Sequence, residues 1–488
     1  MRDIRDFGAK GDGLALDSPA IQAACDAAAR SGGGTVVVPP GRWRCGTIIL
    51  RSRVHLQIQV GARVIASTDL TDYILQAPIP GTLNRDRYHL IIIDDACDVT
   101  IDGGGCIEGC GPEFWDPEKD KGGEPQWRSC RGKRVAPLIE VRDSMGVRIE
   151  QLAIVQSPGW TLHCLRCQHI WLRGLQIRNH PFAPEADGVV INGCHTVIIS
   201  DCMMSTSGDA VAIRASQDAA NCESIAISNC ILQSHCSALK IGSQNWFDIR
   251  HITITNCIVR QSSRALGIYG RDGGRIEQIT VTGLSCDTEC PFILNRPIQV
   301  DLRQRNDTSR RSRLHMLTIT NFSAVTDGRI LLTTADDCQA SRLTLDHITL
   351  RYPHIDDPLV NGQSPASQEN AMHNDEARVA RAAIVADGID HLAISGLHIQ
   401  WPDTKPLASW AGDSMRLEHG ANNLYPPLLS ESSPPFAAFW ARGLIGGRVD
   451  LGGIQSSHGR AARADIADSS GTVLIIDEGS MDSDSDID

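Results

Sequence analysis

Two aspartates stand at matching points of two successive repeats: Asp187 in the run Ala183-Pro184-Glu185-Ala186-Asp187-Gly188, and Asp209 in Ser207-Gly208-Asp209-Ala210-Val211-Ala212-Ile213. If the repeats stack as coils of one solenoid, both carboxylates project from the same face, one coil apart. Two carboxylates on a rigid surface are the minimum equipment for breaking a glycosidic bond, one protonating the leaving oxygen while the other activates water. Glu185 adds a third acid beside Asp187. A carboxylate crowded by another holds its proton more tightly, which makes Glu185 a second candidate for the donor.

Charge of the opposite sign lies nearby. Lys240 interrupts the otherwise apolar strand Ser237-Ala238-Leu239-Lys240-Ile241-Gly242 and must find a partner or water; an anionic ligand, an aspartate of the site and a structural ion pair all satisfy it. Arg264, Arg271 and Asp272 cluster around the following coil, where an arginine suits a bidentate grip on a carboxylate, although Gly270-Arg271-Asp272-Gly273-Gly274 also reads as a plain turn. Asp187, Asp209, Ser237 and Arg264 each lie four residues before an isoleucine (Ile191, Ile213, Ile241 and Ile268), so the four positions are equivalent if those isoleucines stack. Trp160 and His163 read as packing residues. His235 is a weaker candidate beside the site, and Trp246 and Tyr269 fit either sugar stacking or loop packing. No residue spacing demands a metal or a cofactor.

These side chains need a scaffold that repeats. An apolar-x-apolar triplet recurs as Val99-Thr100-Ile101, Val147-Arg148-Ile149, Ile170-Trp171-Leu172, Val197-Ile198-Ile199, Ile225-Ala226-Ile227, Ile252-Thr253-Ile254 and Ile279-Thr280-Val281, then as Leu317-Thr318-Ile319, Leu343-Thr344-Leu345 and Leu392-Ala393-Ile394. From Val147 to Ile279 the spacing is about 23 to 28 residues, a solenoid period. Each unit alternates β-branched with polar residues and ends in a Gly/Asn/Asp/Ser turn. No unit buries its apolar face alone; stacking supplies the partner. The expected fold is therefore all-β: a single-domain parallel β-helix over 1–476 with a capping helix at 17–30. Loop insertions are expected at 102–146 and 346–391. Within the second, the polar run 356–375 reads as a loop over the binding face or as a plain surface insertion. The tail 477–488 is nearly all Asp, Ser and Glu, the composition of a disordered segment.

Composition sets the outer bounds. The chain has 488 residues, 42% hydrophobic and 21% charged, with a net charge of −12, which argues against a general nucleic-acid binder because such a protein needs a basic face. No apolar stretch approaches the roughly 20 residues that span a bilayer, so no membrane partner is expected. Met1-Arg2-Asp3-Ile4 runs directly into folded-looking sequence, so the chain as it stands reads as cytoplasmic, or as secreted or periplasmic if a signal has been removed. Of the 17 cysteines, Cys97, Cys167, Cys194 and Cys222 fall at equivalent points of the repeat and read as a buried stack of thiols rather than a disulfide framework.

The opening Asp6-Phe7-Gly8-Ala9-Lys10-Gly11-Asp12-Gly13, together with Gly32-Gly33-Gly34-Thr35-Val36-Val37-Val38-Pro39-Pro40-Gly41, resembles the start of pectate-lyase-like right-handed parallel β-helices. With Ser157-Pro158-Gly159-Trp160-Thr161-Leu162-His163 and the two Asp motifs, residues 3–290 resemble glycoside hydrolase family 28, the polygalacturonase family. The resemblance implies a right-handed helix and hydrolysis, with inversion, of a glycosidic bond in a uronate-containing poly- or oligosaccharide. The family's Asn-Thr-Asp-Gly falls on Glu185-Ala186-Asp187-Gly188, and its Asp-Asp pair on Gly208-Asp209, so the usual proton donor is replaced by glycine. The family's Gly-His-Gly falls on Cys236-Ser237-Ala238, and its Arg-Ile-Lys near Gly267-Ile268-Tyr269. The residues expected to act are Asp187, Asp209 and Glu185, with Lys240, Arg264, Arg271, Asp272 and Ser237 binding substrate. The acid is either Asp209, with Asp187 as base, or a recruited Glu185. Two other readings fit the same residues: a lyase or epimerase in which Lys240 or an arginine abstracts a proton from a uronate, and a carbohydrate-binding β-helix without catalysis.

Overall fold

The computed structural model describes residues 1–78, 86–116, 129–288, 295–335, 337–353, 377, 380–402, 437–452, 454, 464–467 and 469–476. Its strands wind into a right-handed parallel β-helix of two continuous ladders. A 13-stranded sheet takes one strand from each coil, from Ile48–Leu50 to Ala464–Ala467, and a 24-stranded sheet takes the rest. In the later coils the second sheet's two columns fuse into single long bent strands, such as Arg275–Asp287 and Arg313–Val325.

The triplets form the core ladder. Val147, Ile170, Val197, Ile225, Ile252, Ile279, Leu317, Leu343 and Leu392 stack in register on successive coils and are all buried. The first and third residue of each triplet point inward and the middle one outward, because side chains alternate along a strand. The coils turn at stacked left-handed residues: Asp201, Asn229, Asn256 and Asn321 have φ between +51° and +57°, a conformation that short polar side chains tolerate. Cys167, Cys194 and Cys222 are buried free thiols stacked along the core, as expected, whereas Cys97 is half-buried and pairs with Met145, one position out of that column.

The helix Ser18–Arg30 covers the first open end, burying Ile21, Ala24, Cys25 and Ala28 at helical spacing. Asp17 precedes it but does not cap it; its carboxylate accepts the backbone N–H groups of Lys10 and Gly11 instead. The insertions are narrower than expected. Within 102–146 the strands Cys106–Glu108 and Ile139–Arg142 belong to the ladders. Within 346–391 the strand Gln339–Arg351 continues past 346, and Ala382–Asp387 is a coil strand. Asp346 and His347 look like a loop start in sequence, but they form the polar corner of a continuous strand, with His347 at φ +52°. The run 356–375 and the tail 477–488 lie outside the described residues. Among the described residues, no helix is long and apolar enough to cross a membrane.

Candidate active site

The site grows from four strands of the 13-stranded sheet: Val189–Asn192, Val211–Ala215, Ser237–Asn245 and Arg264–Gly270. Ile191, Ile213, Ile241 and Ile268 stack in register, so the residues four positions earlier form a column of their own. Backbone bonds tie its rungs together: Gly188 N–H donates to Asp209 O at 2.8 Å, Ala210 N–H to Ser237 O at 3.0 Å, and Ser237 pairs with Arg264. Asp187, Asp209, Ser237 and Arg264 thus follow one another at the rung spacing of a β-sheet, roughly 4.8 Å.

The two aspartates share a cation that the sequence reading missed. Arg214 Nη2 lies 3.0 Å from Asp187 Oδ2 and 3.4 Å from Asp209 Oδ2. Its guanidinium stacks 4.8 Å from the ring centroid of Trp160, which fixes its plane. Arg214 carried the signal that marked Lys240, a charge at the end of an apolar strand, here Val211-Ala212-Ile213-Arg214. Lys240 Nζ lies 3.2 Å from Asp209 Oδ2, so Asp209 meets two cations and Asp187 one. Asp187 Oδ1 accepts the backbone N–H of Asp209 at 3.0 Å, and Asp209 Oδ1 accepts that of Ser237 at 3.3 Å. The Ser237 hydroxyl and Arg214 Nε are buried without a protein partner, which leaves two donors free beside the carboxylates.

Burial, followed by the charge of Asp209, pushes the Asp187 carboxyl up to about 7, against the opposing pull of Arg214, Lys240 and the Asp209 N–H. Beneath the pair, Trp160 meets His163 edge-on at 5.4 Å, and His163 Nδ1 pairs with Glu140 Oε2 at 3.0 Å, both wholly buried. Trp160 and His163 therefore pack, as expected, and Trp160 also seats the shared arginine.

The other expected site residues are placed differently. Glu185, half-exposed and left-handed at φ +50°, pairs with Arg134 Nη2 at 3.2 Å rather than with the aspartates. Arg264 lies one rung beyond Ser237 and donates from Nε to Gln299 Oε1 at 2.9 Å. Arg271 and Asp272 require a correction, because both are spent on internal ion pairs. Arg271 binds Asp301 at 2.7 Å; Asp272, with no exposed surface, accepts Arg305 Nε at 2.7 Å and the Asn245 N–H at 3.1 Å. They hold the later coils together and do not line a binding surface. Tyr269 lies 5.6 Å from both Lys240 and Arg271 and is buried, packing rather than presenting a face to a sugar.

Known proteins resemble this chain in sequence and in fold. The profile of Glycosyl hydrolases family 28 matches residues 36–285, and that of rhamnogalacturonase A/epimerase, pectate lyase-like, matches residues 1–63. A "Probable polygalacturonase" of Vitis vinifera is 30% identical over 223 residues, 44% of each chain. The chain spans less than half the length of the first two curated relatives, 44% and 42%. Among solved structures, the exopolygalacturonase of Thermotoga maritima superposes with a TM-score of 0.63 at 19% identity, covering 82% of this chain and 91% of that one. The family 28 exopolygalacturonase of Yersinia enterocolitica gives 0.64 at 16% identity, covering 82% and 75%. Both share the fold.

Proposed function

The chain belongs to glycosyl hydrolase family 28, and on that premise we propose that it hydrolyses a glycosidic bond in a uronate-containing, pectin-like poly- or oligosaccharide. The observation that carries this reading is the pair Asp187 and Asp209, set one rung apart and joined through Arg214 Nη2. Two carboxylates on one face supply the acid and the base that the reaction needs, and the rigid ladder beneath them holds the geometry before substrate arrives.

Asp209 suits the base. Lys240 and Arg214 both reach its Oδ2, so the charged form has two counter-ions. It takes a proton from the water that attacks the anomeric carbon. The relatives named above are polygalacturonases, and the column that continues from Asp209 through Ser237 to Arg264 supplies hydroxyl and guanidinium donors in the direction of the later coils. A uronate offers that column a carboxylate and hydroxyls, and Arg264 is the side chain placed to meet the carboxylate. Engagement of Lys240 by Asp209 speaks against its use as the proton-abstracting base of a lyase.

The test is incubation of the protein with polygalacturonate and with defined oligogalacturonates. New reducing ends should be read alongside the ultraviolet absorption of an unsaturated product. Reducing ends without that absorption support hydrolysis; absorption marks a lyase, and neither signal marks a binding protein.

A further inference from the structure

The position of the family's usual proton donor is Gly208 here, and the room beside it is not vacant. A Cβ placed on Gly208 would lie 2.0 Å from Asp187 Oδ1. The Asp187 carboxylate therefore occupies the space that a side chain at 208 would need. It is held there by the Asp209 N–H on Oδ1 at 3.0 Å and by Arg214 on Oδ2 at 3.0 Å. Only 4% of Asp187 is exposed, so the carboxyl is buried in this seat.

Phe182 precedes Asp187 on its coil and His235 precedes Ser237 two coils later, yet their rings lie 5.5 Å apart. They meet across the intervening coil, that of Ser207 and Gly208. The His235 N–H donates to Thr206 O on that same coil at 3.2 Å. Burial pushes His235 down to about 4, and the charge of nearby His180 acts in the same direction. The ionisable groups in contact with Asp187 are Arg214 and, through its N–H and its charge, Asp209, with Lys240 beyond.

We propose that Asp187 is the proton donor of this site, working from its own coil out of the seat that Gly208 leaves free. This rests on the glycosidase reading above. In the reaction, the Asp187 carboxyl gives its proton to the glycosidic oxygen as the bond from that oxygen to the anomeric carbon breaks. Water forms the new bond to the anomeric carbon and passes its proton to Asp209. The two sugars leave as neutral alcohols, Asp187 ends ionised and Asp209 protonated, and exchange with solvent restores the starting state. The division matches the charges around each group, because Asp209 faces two cations while Asp187 shares one and lies against Asp209. The raised Asp187 carboxyl, at about 7, is protonated over the acidic range in which such a donor works.

The experiment uses Gly208→Ala and the pair Gly208→Asp/Asp187→Ala, read by reducing-end kinetics and by carboxyl-carbon NMR titration of Asp187. In the wild type, Asp187 should titrate near 7. The methyl group of Gly208→Ala should displace the carboxylate, moving its midpoint down toward the ordinary carboxylate range, cutting turnover by roughly 10²-fold and moving the alkaline limb of the pH profile to lower pH. Gly208→Asp in the Asp187→Ala background puts a carboxylate back in the emptied seat and should recover at least about tenfold over Asp187→Ala alone. An ordinary titration midpoint for Asp187 in active wild type, or full activity in Gly208→Ala, overturns the donor assignment and leaves the glycosidase reading standing. Absence of hydrolysis by the wild type overturns the glycosidase reading itself. If Gly208→Ala does not fold, the wild-type titration alone decides the assignment.

Discussion

The backbone N–H of Asp209 donates to Oδ1 of Asp187 across one coil of the solenoid, at 3.0 Å. This bond makes the two carboxylates parts of one unit. The residue that supplies the second carboxylate also orients the first, so the geometry of the pair is set by the register of the ladder rather than by flexible side chains.

That dependence on register makes the isoleucine ladder under the site a stability determinant. Ile213 is 1% exposed and stacks between Ile191 and Ile241. Ile213→Ala should destabilise the protein by about 2–5 kcal/mol, the usual cost of a core cavity left by an Ile-to-Ala change. Urea unfolding measures it; a cost below 1 kcal/mol would mean that the coils do not pack in this register.

Asp187 should leave a mark on the pH dependence of stability. Its folded carboxyl sits at about 7, above the roughly 3.9 of an unfolded aspartate, so the folded state holds a proton that the unfolded state lacks between those values. The associated stability is present in full below about 4 and is lost as pH rises through about 7. Asp187→Asn cannot ionise, so its melting temperature should gain on that of the wild type from pH 4 to 7 and hold its lead beyond. A constant difference across that range would contradict the raised value.

Arg214 is the shared counter-ion of both aspartates, and the side chains of all three are at most 10% exposed. Removing it leaves Asp187 with a less favourable charged form, so Arg214→Ala should move the alkaline limb of activity to higher pH and cost about 3 kcal/mol at pH 8, the penalty for stranding a buried charge. Arg214→Lys keeps the charge but loses the planar stack on Trp160, and should fall between Ala and wild type.

Two arginines at opposite ends of one strand, Arg264 and Arg271, should separate by role. Arg271, buried with Asp301, holds structure, so Arg271→Met should lower the melting temperature without raising KM selectively for a charged substrate. Arg264→Met should raise KM for an oligogalacturonate more than for a neutral oligosaccharide. The opposite pattern would return Arg271 to the binding surface and remove Arg264 from it.

The sequence shows the fold clearly because stacking imposes two periodicities at once, the alternation within each triplet and the return of the triplet every coil. The same equivalence reveals Asp187, Asp209, Ser237 and Arg264 as one column. Other features are not legible in the sequence. Asp272 and Arg305 lie on different coils, 33 residues apart, and nothing in the run Gly270–Gly274 announces that its acid is fully buried on that arginine. Gly208 shows the loss of a donor, but which carboxylate fills its space depends on the rotamer of Asp187. Glu185 stands beside Asp187 in sequence, yet its left-handed backbone turns it toward Arg134.

The most direct test of the account compares wild type with Asp209→Asn on polygalacturonate, following reducing ends and ultraviolet absorption together. Asn is nearly isosteric with Asp, so the fold should survive. The account predicts reducing ends without unsaturated product in the wild type, and a loss of roughly 10²-fold or more in Asp209→Asn, the scale of a missing proton-transfer group. Unsaturated product in the wild type, or undiminished hydrolysis in Asp209→Asn, would contradict it.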